Sequence, residues 1–117
     1  MSELNISHKV VSGVSVGGVE GRLDLQGAGV VEAYAEQRFN AGESRLVLNL
    51  AGVDYISSAG LRSLLVVAKK AQATDGCLVL CGLTPAVLNV MTISGFQQLL
   101  KVCATEPEAV AAARPQQ

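Results

Sequence analysis

Tryptophan is absent from this chain, and two tyrosines, two phenylalanines and one histidine are all the rings it has. Platforms on which bases stack are therefore missing. Basic clusters are missing too. Nine Lys and Arg face ten Asp and Glu, for a net charge of −1, and the densest positive cluster is Lys69-Lys70. Both absences argue against nucleic acid as a direct ligand. No apolar run approaches the roughly 18 residues needed to span a bilayer. Glu3, His8 and Lys9 interrupt the N-terminus before a secretory core can form, so the expected location is the cytoplasm.

Chemistry-bearing patterns are just as sparse. Cys77, Cys81 and Cys103 are odd in number and lack CxxC spacing, which reads as reduced core cysteines rather than a metal or redox site. In a strand, Cys77 and Cys81 share one face. The single histidine, His8, sits in a predicted strand and reads as a strand-surface residue rather than the base of a Ser–His or Cys–His pair. Gly27-Ala28-Gly29 begins like a dinucleotide loop, but the third glycine would fall at Glu32, whose charge opposes a pyrophosphate. No lysine follows a glycine, which removes the Walker step. Asp24 and Asp54 fall at predicted strand ends, and each also suits a plain loop. No cofactor, no metal and no enzymatic activity are expected.

What the chain does have is aliphatic side chains. Half of its 117 residues are apolar, enough for one core, and a core of Val, Leu, Ile and Ala suits parallel strands buried on both faces. The alternation predicts strands over 3–11 and 14–20 joined at Ser12-Gly13, with Gly17-Gly18 marking a bulge. A helix is predicted from about Val30 to Asn40, with Val31, Tyr34, Ala35 and Arg38 at helical spacing. Leu46–Leu50 reads as a central strand. The next helix begins around Ser58, with Leu61, Leu64, Leu65 and Ala68 inward and Arg62, Ser63, Lys69 and Gln72 outward. Cys77–Leu83 is a strand, and Thr84-Pro85 opens a helix that carries Val87, Leu88 and Met91 and stops at Gly95. A short strand over 99–102 and a last helix over 106–113 follow. The sum is an α/β fold: one domain over 1–117, a mixed, mostly parallel sheet of about five strands packed with about four helices, and a flexible tail from about 114.

One segment stands apart. Val53-Asp54-Tyr55-Ile56-Ser57-Ser58-Ala59-Gly60-Leu61 lies beyond the carboxyl end of a buried parallel strand, where open α/β sheets collect their sites. Its serines are natural helix caps. Gly60, costly in a first helical turn, implies that something approaches the backbone closely.

The same segment resembles the signature of the STAS family, the domain of anti-sigma-factor antagonists and of sulfate-transporter tails. Val19–Asp24 is similar to the family's glycine-leucine-aspartate turn, Leu46–Leu50 with Val53–Ile56 to its strand and loop, and Ser57–Leu61 to its phosphorylation site. Leu78–Leu83 and Val87–Phe96 are similar to the elements that follow. The resemblance implies Ser58 as the residue phosphorylated by a partner kinase, with Ser57 as second choice. This chain has Ser57 where many antagonists have Asp, and Ala59 at the second hydroxyl position. It further implies a docking surface of Asp24, Ser57, Ser58, Ala59, Gly60 and Arg62. Its expected partners are a serine-kinase anti-sigma factor and a serine phosphatase, with the chain itself a monomer or weak dimer. A scaffold or transporter-regulating role is the alternative within the same family.

Overall fold

The spacing of apolar residues is realised as ten elements in a computed structural model that describes residues 3–115. In chain order they are β1 (Asn5–Val11), β2 (Val14–Leu23), α1 (Leu25–Asn40), β3 (Arg45–Ile56) and α2 (Ser58–Ala73). Then come β4 (Cys77–Cys81), α3 (Pro85–Ser94), a 3-10 turn (Phe96–Gln98), β5 (Lys101–Cys103) and α4 (Glu106–Ala113). Ser12 and Gly13 both take positive φ, 52° and 79°, the mirror-image turn whose twist suits a two-residue hairpin. β1 and β2 accordingly run antiparallel, with Val11 opposite Val14. The remaining neighbours are parallel, and the strands lie side by side in sequence order.

The sheet has two differently covered faces. α1, α2 and α3 pack on one, with Leu23, Val31, Leu46, Leu48, Leu50, Leu64, Leu80 and Met91 in a continuous cluster. α4 covers part of the other, setting Ala109, Val110 and Ala113 against Val14, Val16, Val47, Val79 and Cys81. Cys77 packs against this second cluster, so Cys77 and Cys81 do share a face.

Several sequence boundaries are corrected. α1 starts at Leu25, not Val30, because the Asp24 carboxylate accepts from the Gly27 amide at 2.9 Å and caps the helix there. Gly27-Ala28-Gly29 is therefore helix rather than a phosphate loop. β2 runs on to Leu23 and β3 to Ile56, since the two stay paired through Arg22↔Tyr55 and Leu23↔Ile56. Two register shifts accommodate the extension, between Gly18 and Glu20 and between Gly21 and Arg22, just past the expected bulge. β1 begins at Asn5, and β5 at Lys101, because the 3-10 turn takes up the chain before it. Ser63, expected to face outward, is buried; its hydroxyl donates to the Gly60 carbonyl at 2.6 Å, which satisfies it there. In the tail, the Arg114 amide donates to the Val110 carbonyl, and Arg45 reaches the carbonyls of Ala113 and Arg114. Gln116 and Gln117 lie outside the described residues.

Candidate functional site

Three parallel strands end at one edge of the sheet and three helices begin there. Asp24 caps α1, Ser57 caps α2 and Thr84 caps α3, each accepting from the amide three residues on. Thr84 is further tied by its hydroxyl to the Val53 carbonyl at 3.3 Å. Unpaired helix amides and sheet termini thus meet in one place.

The two serines at this edge are not equivalent. Ser57 has extended backbone, its amide donates to the Leu23 carbonyl at 3.0 Å, and its Oγ accepts from the Gly60 amide at 3.2 Å. Its hydroxyl also points at the Leu23 oxygen, 3.4 Å away. Ser57 is fully engaged in holding α2 against β2. Ser58 is the first helical residue, it is exposed, and its hydroxyl makes no hydrogen bond among the described residues. Ala59 is half-buried beside it and Arg62 is exposed one turn on.

Gly60 explains how the helix sits so close. It is buried, and a Cβ there would overlap the Leu23 carbonyl oxygen and crowd the Leu23 and Ile56 side chains. What approaches its backbone is the chain's own β2. Gly60 thus seats the helix rather than offering a surface to another molecule.

Asp24 lies next to that Leu23 carbonyl. One carboxylate oxygen is taken by the α1 cap; the other stands 3.9 Å from Arg22, which lies over the Tyr55 ring at 4.1 Å from its centroid. Asp24, Arg22 and Tyr55 therefore form a short connected string along the rim.

Sequence reasoning missed the walls of the site. Ser57, Ser58 and Ala59 line an open groove of about 680 Å³ together with Leu25, Tyr55, Val90 and Ile93. Leu25 is 76 % exposed and Ile93 78 %. A signal for them existed in α3, whose Val87 and Met91 already supply a buried face. Val90 and Ile93 are surplus apolar residues on the outer side of a surface helix.

The remaining chemistry-bearing residues are dispersed. Arg38, which can only donate, gives a hydrogen bond to Nε2 of His8 at 2.9 Å, so Nδ1 carries the ring proton toward the Tyr34 hydroxyl at 2.7 Å. Burial pushes the Tyr34 hydroxyl up to about 12. Burial, reinforced by Glu106 and Cys103, pushes the Cys81 thiol up to about 11, which leaves it protonated and unreactive at neutral pH. Among the described residues no cluster of three or more His, Cys, Asp or Glu is placed to hold a metal, and no helix is long and apolar enough to cross a membrane.

A small α/β domain with an unengaged hydroxyl at the junction of its central strand and helix is the class that fold and site define. The STAS domain matches residues 5–109, and the chain belongs to that family. It is 43% identical over 103 residues, 88% of either chain, to a Bordetella bronchiseptica protein, BtrV, named as an anti-sigma factor antagonist. Among solved structures it resembles an anti-sigma factor antagonist from Mycobacterium paratuberculosis, with a TM-score of 0.85 at 22% identity over 97% of this chain and 96% of that one. It also resembles the phosphorylated form of the Bacillus cell fate determinant SpoIIAA, with a TM-score of 0.69 at 21% identity over 96% and 100% of the two chains.

Proposed function

We propose that this chain is an anti-sigma factor antagonist whose docking surface is switched by phosphorylation of Ser58. The unphosphorylated protein binds a serine-kinase anti-sigma factor and displaces the sigma factor. The kinase then transfers a phosphoryl group to Ser58, which ends binding, and a serine phosphatase restores the hydroxyl. The chain acts as one STAS domain, as substrate and binding partner rather than enzyme, in the cytoplasm where ATP and sigma factors meet.

The observation that carries this reading is the division of labour between the serines. Ser57 is spent on the cap, whereas Ser58 is exposed with a free hydroxyl. The name borne by the BtrV relative supports the partner class, and the phosphorylated state of the Bacillus neighbour supports the chemistry. In the transfer, Oγ of Ser58 attacks the γ-phosphorus of ATP, ADP leaves, and the hydroxyl proton passes to a base of the kinase. The reset is attack of water on phosphorus with release of inorganic phosphate.

Physics explains how so small a change switches binding without refolding. Phosphorylation adds about −1.5 to −2 charges and three acceptor oxygens. At the start of α2 that charge faces free amides and the positive end of the helix, so the domain tolerates it. A partner seated over Ser58, Ala59 and Arg62, with Asp24 at the rim, meets instead a bulky dianion.

Incubation with a candidate serine-kinase anti-sigma factor, plus ATP, tests the assignment by mass spectrometry. One phosphate on Ser58 is expected, retained in Ser57→Ala and lost in Ser58→Ala. Ser58→Ala keeps kinase binding and Ser58→Asp weakens it. Wild-type affinity in both Ser58 variants overturns the switch.

A further inference from the structure

Resting on the reading above, the geometry points to an apolar clamp, built from Leu25 of α1 and Ile93 of α3, as the affinity determinant of the kinase-docking surface. The occupant we infer is a single apolar side chain of the serine kinase, seated in the groove that Ser57, Ser58 and Ala59 help to line, with an acidic group of the kinase facing Arg62.

Exposed aliphatic residues scattered singly are ordinary. These are not scattered. Leu25 and Ile93 are more than three-quarters exposed, and with Tyr55 and Val90 they line the same open groove as Ser58. They lie more than sixty residues apart in the chain and two helices deliver them there, Leu25 because the Asp24 cap starts α1 at that point and Ile93 because α3 starts at the Thr84 cap. Apolar surface gathered in one concave place marks an interaction site.

The occupant follows from the reaction. Phosphoryl transfer brings kinase atoms within bonding distance of the Ser58 hydroxyl, so a kinase that uses Ser58 also covers the residues flanking it. Shape sets the chemistry of the covering group. The groove walls offer carbon and few hydrogen-bonding atoms, which an aliphatic or aromatic side chain fills and a charged one does not. Arg62 is exposed and makes no ion pair among the described residues, so the adjoining contact is with an anion. A phosphoryl group then acts twice over. It places an unmatched dianion in the groove beside an apolar side chain, and it repels the kinase's acidic group.

Calorimetric titration of a candidate serine-kinase anti-sigma factor with five variants provides the test. Leu25→Asp and Ile93→Asp, both at exposed positions, keep the wild-type melting transition and lose at least about tenfold in affinity. Leu25→Met and Ile93→Leu bind within about twofold of wild type, since they preserve apolar volume. Val10→Asp, at an exposed apolar residue outside the groove, binds like wild type. If both aspartate variants bind normally and still gain phosphate on Ser58, the clamp is wrong while the switch stands. If wild type neither binds nor gains phosphate there, the switch and the clamp fall together. Should light scattering show a dimer that Ile93→Asp dissolves while kinase binding persists, the groove belongs to a second copy of this chain and the assignment is overturned.

Discussion

The two faces of the sheet differ in weight, and the candidate site belongs to the heavier one. Under α1, α2 and α3 lies a leucine-rich cluster that runs from Leu4 to Leu100. Under α4 lie valines, alanines and cysteines, and the helix has eight residues. The ends of α4 are held by surface contacts: Lys9 pairs with Glu106 at 2.8 Å, Asn49 donates to the same carboxylate, and Arg45 reaches the Ala113 carbonyl. A switch that must accept a dianion without moving needs its helix fixed by burial, because burial is not screened by salt and charge contacts are. α2 has that anchorage. α4 does not.

Removing one buried side chain from each face probes this contrast most strongly. Leu64→Ala, at a fully buried position of α2, should lower unfolding free energy by about 3–4 kcal/mol. Val110→Ala on α4 removes fewer methyl groups from a lighter cluster and should cost about 1–2 kcal/mol. Urea melts of the two variants check the ordering; equal losses would erase the distinction between the faces.

Within the heavier face the serines sharpen it further. Ser57→Ala deletes the α2 cap and should cost about 1 kcal/mol. Ser58→Ala touches no bond and should stay within about 0.5 kcal/mol of wild type. The same melts report both, and a larger loss at Ser58 would mean its hydroxyl is engaged after all.

Acid should find the lighter face. Hydrogen bonds from Lys9 and then Asn49 hold the Glu106 carboxyl below its usual range. A carboxyl depressed in the folded state contributes stability that is complete above its unfolded value, about 4.3. That contribution is lost as pH falls through the lower folded value. Glu43 on the other face has the same sign, lowered first by its hydrogen bond from Ser15. Protection of the α4 amides against exchange should therefore fall as pH drops below about 4, and Glu106→Gln should show little of that extra loss. Unchanged protection of α4 amides across that range would remove the role given to Glu106.

Much of this fold was legible in advance. Alternation, near-continuous apolar runs and the Ser-Gly and Thr-Pro punctuation yielded the order of strands and helices. The boundaries that slipped did so for tertiary reasons. α1 begins five residues early because Asp24 happens to lie where its carboxylate meets the Gly27 amide. β3 runs six residues beyond Leu50 because β2 continues beside it. Ser63 reads as an outward polar residue, and only the nearby Gly60 carbonyl makes its burial tolerable.

By itself the sequence determined the α/β architecture, the helix start at Ser57-Ser58 and the family, because these depend on local periodicity, caps and a contiguous motif. Only the tertiary structure decided which serine is spent and which is free, why Gly60 must lack a side chain, and that Leu25 and Ile93 line one groove with Ser58. Those depend on backbone angles and on contacts between residues far apart in the chain, and no local pattern encodes them.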